Sequence, residues 1–150
     1  MFKFHGKHFL TLFIAGFFLC GNFLYAQKNG KVKSAEMSAT EFKSVIWDFT
    51  ENEKDFIYKG KKPAIVYFYS PLLNSNKVSI SILDELVKDS RGRFDIYRVN
   101  AEQEKELVRL FEIKDYPTFL LITRKGEPQV YVGVMTKEQL IQLIDNTILK

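Results

Sequence analysis

The spacing of apolar residues divides the chain from residue 38 onward into helices and strands. A capping box of Ser38 and Glu41 is followed by apolar residues at helical spacing, which predicts a helix over 39–50. These apolar residues are Phe42, Val45, Ile46 and Phe49. The run 64–69 is apolar without alternation, which is typical of a central strand covered on both faces. The elements predicted after it are a helix over 78–87, a strand over 94–99, a helix over 102–111, strands over 118–123 and 129–132, and a helix over 136–149.

This order of elements predicts an α/β domain. Two strand-helix-strand crossovers favour parallel pairing, and the tight turn around Lys125 and Glu127 favours an antiparallel edge. We therefore expect a central mixed sheet of about four strands flanked by helices, with one helix at the N-terminal side.

The first 26 residues have the pattern of an export signal. A basic start with Lys3 and Lys7 precedes an apolar run over 9–19, and Ala26 supplies the small residue that signal peptidase requires. The apolar run is short for a membrane span. We predict a signal peptide over 1–26, a polar mobile lead-in over 27–37, a domain over 38–150, and a periplasmic or otherwise exported protein. A retained N-terminal anchor and a lipid on Cys20 are the alternatives.

Cleavage after Ala26 would change the available chemistry. The single cysteine and both histidines lie in the leader, so the mature chain would contain neither residue type. A cysteine nucleophile, a disulfide, a Cys/His metal site and a histidine triad are then excluded. The net charge would fall from +4 to about +2 with the loss of Lys3 and Lys7. The sequence has no basic stripe with interleaved aromatic residues, which is the pattern that would indicate nucleic-acid binding. We expect no metal and no cofactor.

Several short motifs resemble those of the thioredoxin family in their joint spacing. They are Ile82–Glu85 in a predicted helix, Val99–Asn100 at a strand end, Asp115–Thr118 around a proline, Gly126–Glu127, and Gly133. The preceding segments 45–48 and 58–66 are similar to exported thioredoxins of the Bacteroidetes type. The resemblance implies a thioredoxin-like fold.

The same resemblance implies that the family's redox chemistry is lost. The family motif Trp-Cys-Gly-Pro-Cys-Lys falls on residues 72–77, so its two cysteines are replaced by Leu73 and Asn76. The buried acid that assists the second cysteine falls on Tyr67. Disulfide exchange needs an attacking thiolate and a resolving thiol, and none of these three residues supplies one. The resemblance therefore indicates vestigial positions and no catalytic residues, and a protein that is not an enzyme.

The family's substrate-binding surface is the part of the site that could remain. The resemblance implies a cis bond before Pro117 and a surface for a protein or peptide partner, made by Leu72, Leu73, Asn74, Ser75, Tyr116, Pro117, Val132, Gly133 and Val134. The opposing interpretation is that Leu72 and Leu73 fold onto neighbouring side chains and bind nothing. A helix-capping role is expected for Asn74 or Asn76.

Two other functions stay open at this point. One is a thioredoxin-family oxidoreductase that acts with a cysteine-bearing partner or through a retained Cys20. The other is a structural subunit of an envelope complex that contacts its partner through the helix over 39–50 and Trp47, although packing is the favoured role for Trp47.

Overall fold

A computed structural model describes residues 34–125 and 127–149. The predicted leader, its cleavage site and Cys20 lie outside the described residues. The helices and strands are β1 (Ala35–Glu36), α1 (Ala39–Val45), β2 (Ala64–Tyr69), α2 (Ser75–Asp89), β3 (Asp95–Asn100), α3 (Lys105–Leu110), β4 (Thr118–Ile122), β5 (Gln129–Val132) and α4 (Lys137–Thr147).

The strands form one mixed sheet in the order β1-β3-β2-β4-β5. β1 and β2 each pair in parallel with β3, while β4 is antiparallel to both β2 and β5. The predicted α/β architecture with a mixed sheet and an antiparallel edge is confirmed. The crossover helices explain the parallel pairs, because parallel neighbours need a long connection.

The fifth strand, β1, comes from a segment that the sequence predicted as mobile lead-in. The prediction fails for its last residues, because Ser34 donates two hydrogen bonds to Asp84 Oδ1, from N–H and Oγ, each at 2.8 Å. The N–H of Met37 then donates to the carbonyl of Arg98 at 2.8 Å, and the Met37 side chain is buried. These contacts join the segment to α2 and β3.

Three helices differ from their predicted bounds by three residues or more at one end, and α3 begins at Lys105, three residues after its predicted start. α1 ends at Val45, because the chain turns at Ile46 and carries Trp47 and Phe49 back towards the core. α2 begins at Ser75, three residues before the predicted start. Its inward side includes Asn76, Ser79, Leu83 and Leu86, whereas Val78, the first residue of the predicted helix, is 62% exposed.

Apolar side chains fill both sides of the sheet. Alternate residues of β2 point to opposite faces, with Val66 and Phe68 in one cluster and Ile65 and Tyr67 in the other. The first cluster includes Phe42 and Leu107 of α1 and α3. The second includes residues of α2 and α4: Leu83, Leu86, Leu140 and Ile144. β2 is thus the central strand that its unbroken apolar run predicted.

Side chains cap two of the helices, the first of them as the sequence predicted. Ser38 and Glu41 form a complete capping box at α1, and Thr136 and Gln139 form another at α4. In each box the hydroxyl satisfies a first-turn N–H that the helix leaves without a partner. None of the helices in 34–125 and 127–149 is long and apolar enough to cross a membrane.

Candidate functional site

The three segments predicted to form a binding surface meet at one end of the sheet. Phe68 of β2 lies opposite Thr118 of β4, and Thr118 lies opposite Val132 of β5. Residues 70–74 leave β2 at this end, and Pro117 precedes β4 here. The N–H of Gly133 donates to the carbonyl of Pro117 at 2.8 Å, which fixes the third segment beside the second. Sheet register therefore brings the predicted residues together.

We call this surface the Leu73 face and define it as Leu72, Leu73, Asn74, Ser75, Tyr116, Pro117, Val132, Gly133 and Val134. Its apolar members differ in exposure. Leu72 is 80% exposed, Leu73 is 42% exposed and Val134 is 60% exposed, so Leu72 does not fold onto neighbouring side chains. Four exposed apolar residues therefore lie at this end of the sheet: Leu72, Leu73, Val132 and Val134.

The proline segment supplies the backbone part of the Leu73 face. The Tyr116–Pro117 bond is cis, as the resemblance implies. Pro117 is buried, and Tyr116 is half-buried against the cluster on the α1 side. Within residues 34–125 and 127–149, the N–H and C=O of Tyr116 have no hydrogen-bond partner. They are available to an incoming backbone.

Gly133 completes the turn that leaves β5. Its φ of +108° lies in the region that favours glycine, and a β-carbon there would meet no atom within 4 Å. The glycine is therefore required by the backbone conformation and not by crowding.

A neutral hydrogen-bonded group lies beneath the loop. The fully buried Tyr67 donates its hydroxyl proton to Asn76 Oδ1 at 3.1 Å, and Asn76, 2% exposed, donates from Nδ2 to the carbonyl of Ser70. Burial raises the pKa of Tyr67, so its phenol stays protonated at neutral pH. The positions that the resemblance matches to the acid and the second cysteine thus pair with each other.

Ser70 is a loop residue whose contacts the sequence did not predict. Its Oγ donates to Glu102 Oε1 at 3.2 Å and accepts from the N–H of Leu72 at 3.4 Å. The Lys105 ammonium, with Ser70, lowers the pKa of Glu102, which makes this carboxylate a weak base. The group therefore holds the loop in place. No local signal could have shown it, because Ser70 and Glu102 are 32 positions apart.

Two interpretations of single residues change with the structure. The backbone makes Asn74 the N-cap of α2, but no side-chain capping bond is present, so the predicted capping role is wrong for its side chain. Asn76 has its side chain turned to Ser70 instead.

Trp47 packs inside the protein and is 7% exposed. Its indole Nε1 donates to the carbonyl of Asn52 at 3.1 Å, and its ring lies 5.2 Å from Phe56 and 5.8 Å from Phe49 between centroids. The favoured packing role is confirmed. Trp47 therefore offers little exposed surface to a partner.

No group of three or more His, Cys, Asp or Glu side chains in 34–125 and 127–149 is placed to hold a metal ion.

Comparison with known proteins agrees with the fold. Residues 34–146 match the family model described as Thioredoxin. The chain is 26% identical over 108 residues to a thioredoxin of Borreliella burgdorferi, spanning 72% of this chain and 92% of that protein. It is 22% identical over 116 residues to the M-type chloroplastic thioredoxin of Spinacia oleracea, spanning 77% of this chain and 64% of that protein. The solved structure of a chloroplastic thioredoxin z matches with a TM-score of 0.63 and 14% identity, covering 77% of this chain and 94% of that one.

The family model covers well over half of the sequence, and the chain therefore belongs to the thioredoxin family. Its fold is thioredoxin-like, with a mixed sheet of five strands flanked by helices. The chain has a single cysteine, Cys20, which precedes the matched residues. A pair of cysteines in a CxxC motif is consequently missing from the sequence.

Proposed function

We propose that this protein is a redox-inactive thioredoxin-family member of the cell envelope that binds a protein or peptide partner through the Leu73 face. The observation that carries the proposal is that exposed apolar side chains lie at the same end of the sheet as the backbone of Tyr116, which has no hydrogen-bond partner among the described residues. The family match over residues 34–146 contains no cysteine.

The loss of redox activity follows from the chemistry of the loop. Thiol–disulfide exchange begins with attack of a thiolate on a disulfide sulfur, and a second thiol resolves the mixed disulfide. Leu73 has no nucleophilic atom, and the amide of Asn76 is committed to Tyr67 and Ser70. The loop can present a surface but cannot exchange electrons.

Peptide binding fits the geometry of the Leu73 face. An extended chain beside Tyr116 could pair with its N–H and C=O in a short form of strand addition. Its side chains would then meet Leu73 on one side and Val134 on the other. Main-chain pairing would provide affinity, and the apolar side chains would provide preference for apolar residues in the partner.

The envelope assignment rests on the leader pattern. Two basic residues, an apolar run and the small residue at position 26 support export. An exported binding protein without cysteine would be insensitive to the oxidising conditions of that compartment.

The binding claim is tested by affinity capture from an envelope extract of the source cells. The baits are the tagged full chain and its Leu73→Arg and Val134→Arg variants, with Ile57→Arg and Ile141→Arg as matched controls, because Ile57 and Ile141 are exposed apolar residues elsewhere. We expect a partner that is captured by the wild type and both controls, and reduced at least about ten-fold with Leu73→Arg. Equal capture by all five baits would contradict the proposal.

The redox claim has a separate assay. Reduction of insulin disulfides in the presence of dithiothreitol should proceed at the rate of the buffer blank. A Cys20→Ser variant is the control for any activity of the leader cysteine. Turnover above the blank that survives Cys20→Ser would show that the domain itself is redox-active.

A further inference from the structure

The end of the sheet opposite the Leu73 face carries a cluster of cations. Strands β2 and β3 begin here and β4 ends here, so the loops before and after them meet. We call this surface the basic end and define it as Lys61, Lys62, Arg91, Arg93, Arg124 and Lys125, all of which are exposed. Five of them line a shallow hollow of about 680 Å³, whose remaining lining residues include no Asp or Glu.

Few carboxylates neutralise the basic end. Asp95 approaches Lys62 at 3.9 Å, which is a long ion pair between half-exposed groups. Asp89, on the α2 side, pairs with Lys137 at 3.2 Å. Glu127 is the other acidic residue in these loops. Asp145 and Asp89 line a smaller hollow beside Arg93. Six cations therefore have four acidic residues near them, one of which is paired with Lys137, on a protein whose whole chain has a net charge of +4.

The positions of these cations are set by the fold. Arg93 Nε donates to the carbonyl of Ser90 at 3.2 Å, and Arg91 and Gly92 form a turn with positive φ that directs the loop outward. Lys61 and Lys62 directly precede β2, while Arg124 and Lys125 directly follow β4. Adjacent central strands thus hold three basic loops side by side.

The chain also enters the domain from this side. β1 runs parallel to β3, so Ser34 precedes β1 on the side where β2 and β3 begin. The 33 residues before Ser34, which include the basic and apolar leader, are joined to the domain there.

We propose that the basic end docks on the surface of a membrane containing anionic phospholipids. Polybasic surfaces bind such membranes through the negative surface potential, and a single short apolar anchor gains stability from this second attachment. Docking in this orientation points the Leu73 face away from the bilayer towards soluble partners. The inference does not depend on partner binding, since it concerns the other end of the molecule.

The test is flotation of the full chain with vesicles of phosphatidylcholine alone and vesicles that include phosphatidylglycerol. The first variant is Lys61→Glu with Lys125→Glu. Its matched control is Lys77→Glu with Lys114→Glu, which makes the same charge change with exposed lysines at the Leu73 end. Comparing full-length chains cancels any binding by the leader itself.

We expect phosphatidylglycerol to increase the vesicle binding of the wild type. In the Lys61/Lys125 variant this increase should be at least about ten-fold smaller. The Lys77/Lys114 variant should keep most of it, and added salt should weaken it. Equal losses in both variants would overturn the proposal, because net charge alone would then explain binding. Binding of inorganic phosphate or of an oligonucleotide without any preference for phosphatidylglycerol would also overturn it.

Discussion

Asn76 shows how one buried amide can fix a loop to the elements around it. A buried asparagine is costly unless its amide finds partners, and here it bonds both Tyr67 and Ser70. The bonds connect the central strand, the loop and the first turn of α2.

The first prediction concerns this buried pair. Asn76→Ala should lower the free energy of unfolding by about 2–3 kcal/mol, because it removes the Oδ1 acceptor of the Tyr67 hydroxyl and opens a small cavity. Tyr67→Phe should cost about 1–1.5 kcal/mol, and the double variant less than the sum. Urea unfolding monitored by circular dichroism measures these values. Asn146→Ala, on the exposed side of α4, is the control and should change stability by less than about 0.5 kcal/mol.

A second prediction concerns alkaline pH. Burial raises the pKa of Tyr67 above its ordinary value of 10.0, and burial likewise raises the pKa values of Tyr58, Tyr69 and Tyr97. The unfolded chain then loses these protons at lower pH than the folded chain. Stabilisation by the protonated phenols is complete below pH 10 and is lost as the pH rises through the folded-state values.

The measurement is the free energy of unfolding between about pH 9 and about pH 11, above and below the ordinary tyrosine pKa. It should fall across this range in the wild type and fall less steeply in Tyr67→Phe. Tyr131→Phe, which removes a surface hydroxyl bonded to Gln129, is the comparison and should behave like the wild type. A Tyr67→Phe curve parallel to the wild-type curve would argue against burial as the cause.

These residue contacts were largely outside the reach of the sequence. The resemblance matched Tyr67 and Asn76 to vestigial positions, but it did not pair them. Asparagine near a loop usually caps a helix, and nothing in the local sequence indicates that its amide turns inward. The exposure of Leu72 likewise follows from the shape of the loop, which spacing does not define.

At the scale of elements, periodicity predicted which helices and strands exist better than where they end. Helix α1 illustrates the reason. Phe49 continues the apolar spacing and is packed against the core, but it gets there after the helix has ended. Burial alone therefore cannot distinguish a continuing helix from a chain that folds back.

β1 was missed for a different reason. Two residues are too few to show alternation, and both side chains are exposed on an edge strand. Its presence depends on Asp84, a residue of α2 that lies 50 positions from Ser34 in the sequence. Only the packed structure brings them together.

The capping box of α1 provides a prediction at this scale. Ser38→Ala should lower the free energy of unfolding by about 1 kcal/mol, because it removes the acceptor of the Glu41 N–H. Urea unfolding measures the change. The control is Ser44→Ala, since Ser44 lies within the helix and alanine is the better helix former. A larger loss in Ser44→Ala than in Ser38→Ala would contradict the assigned cap.

At the scale of the whole molecule, the two ends of the sheet have different characters. The Leu73 face is apolar and offers backbone groups, whereas the basic end is charged and carries the link to the leader. Both arise from one sheet, since register places the loops that leave β2 at one end and those that enter it at the other. The fold was predictable because several motifs kept the spacing of one family. The contrast between the ends was not, because it depends on which loops the topology groups together.

The measurement that tests the account most directly is site-specific photocrosslinking in growing source cells. A benzophenone amino acid replaces Leu73 in one strain and Ile57 in another, so that two exposed apolar positions are compared. We predict a discrete crosslinked partner from position 73 that is missing from position 57 and that is lost when Val134→Arg is added. Identical crosslinks from both positions, or none from position 73 while position 57 gives a discrete partner, would contradict the assignment of the Leu73 face as the binding surface.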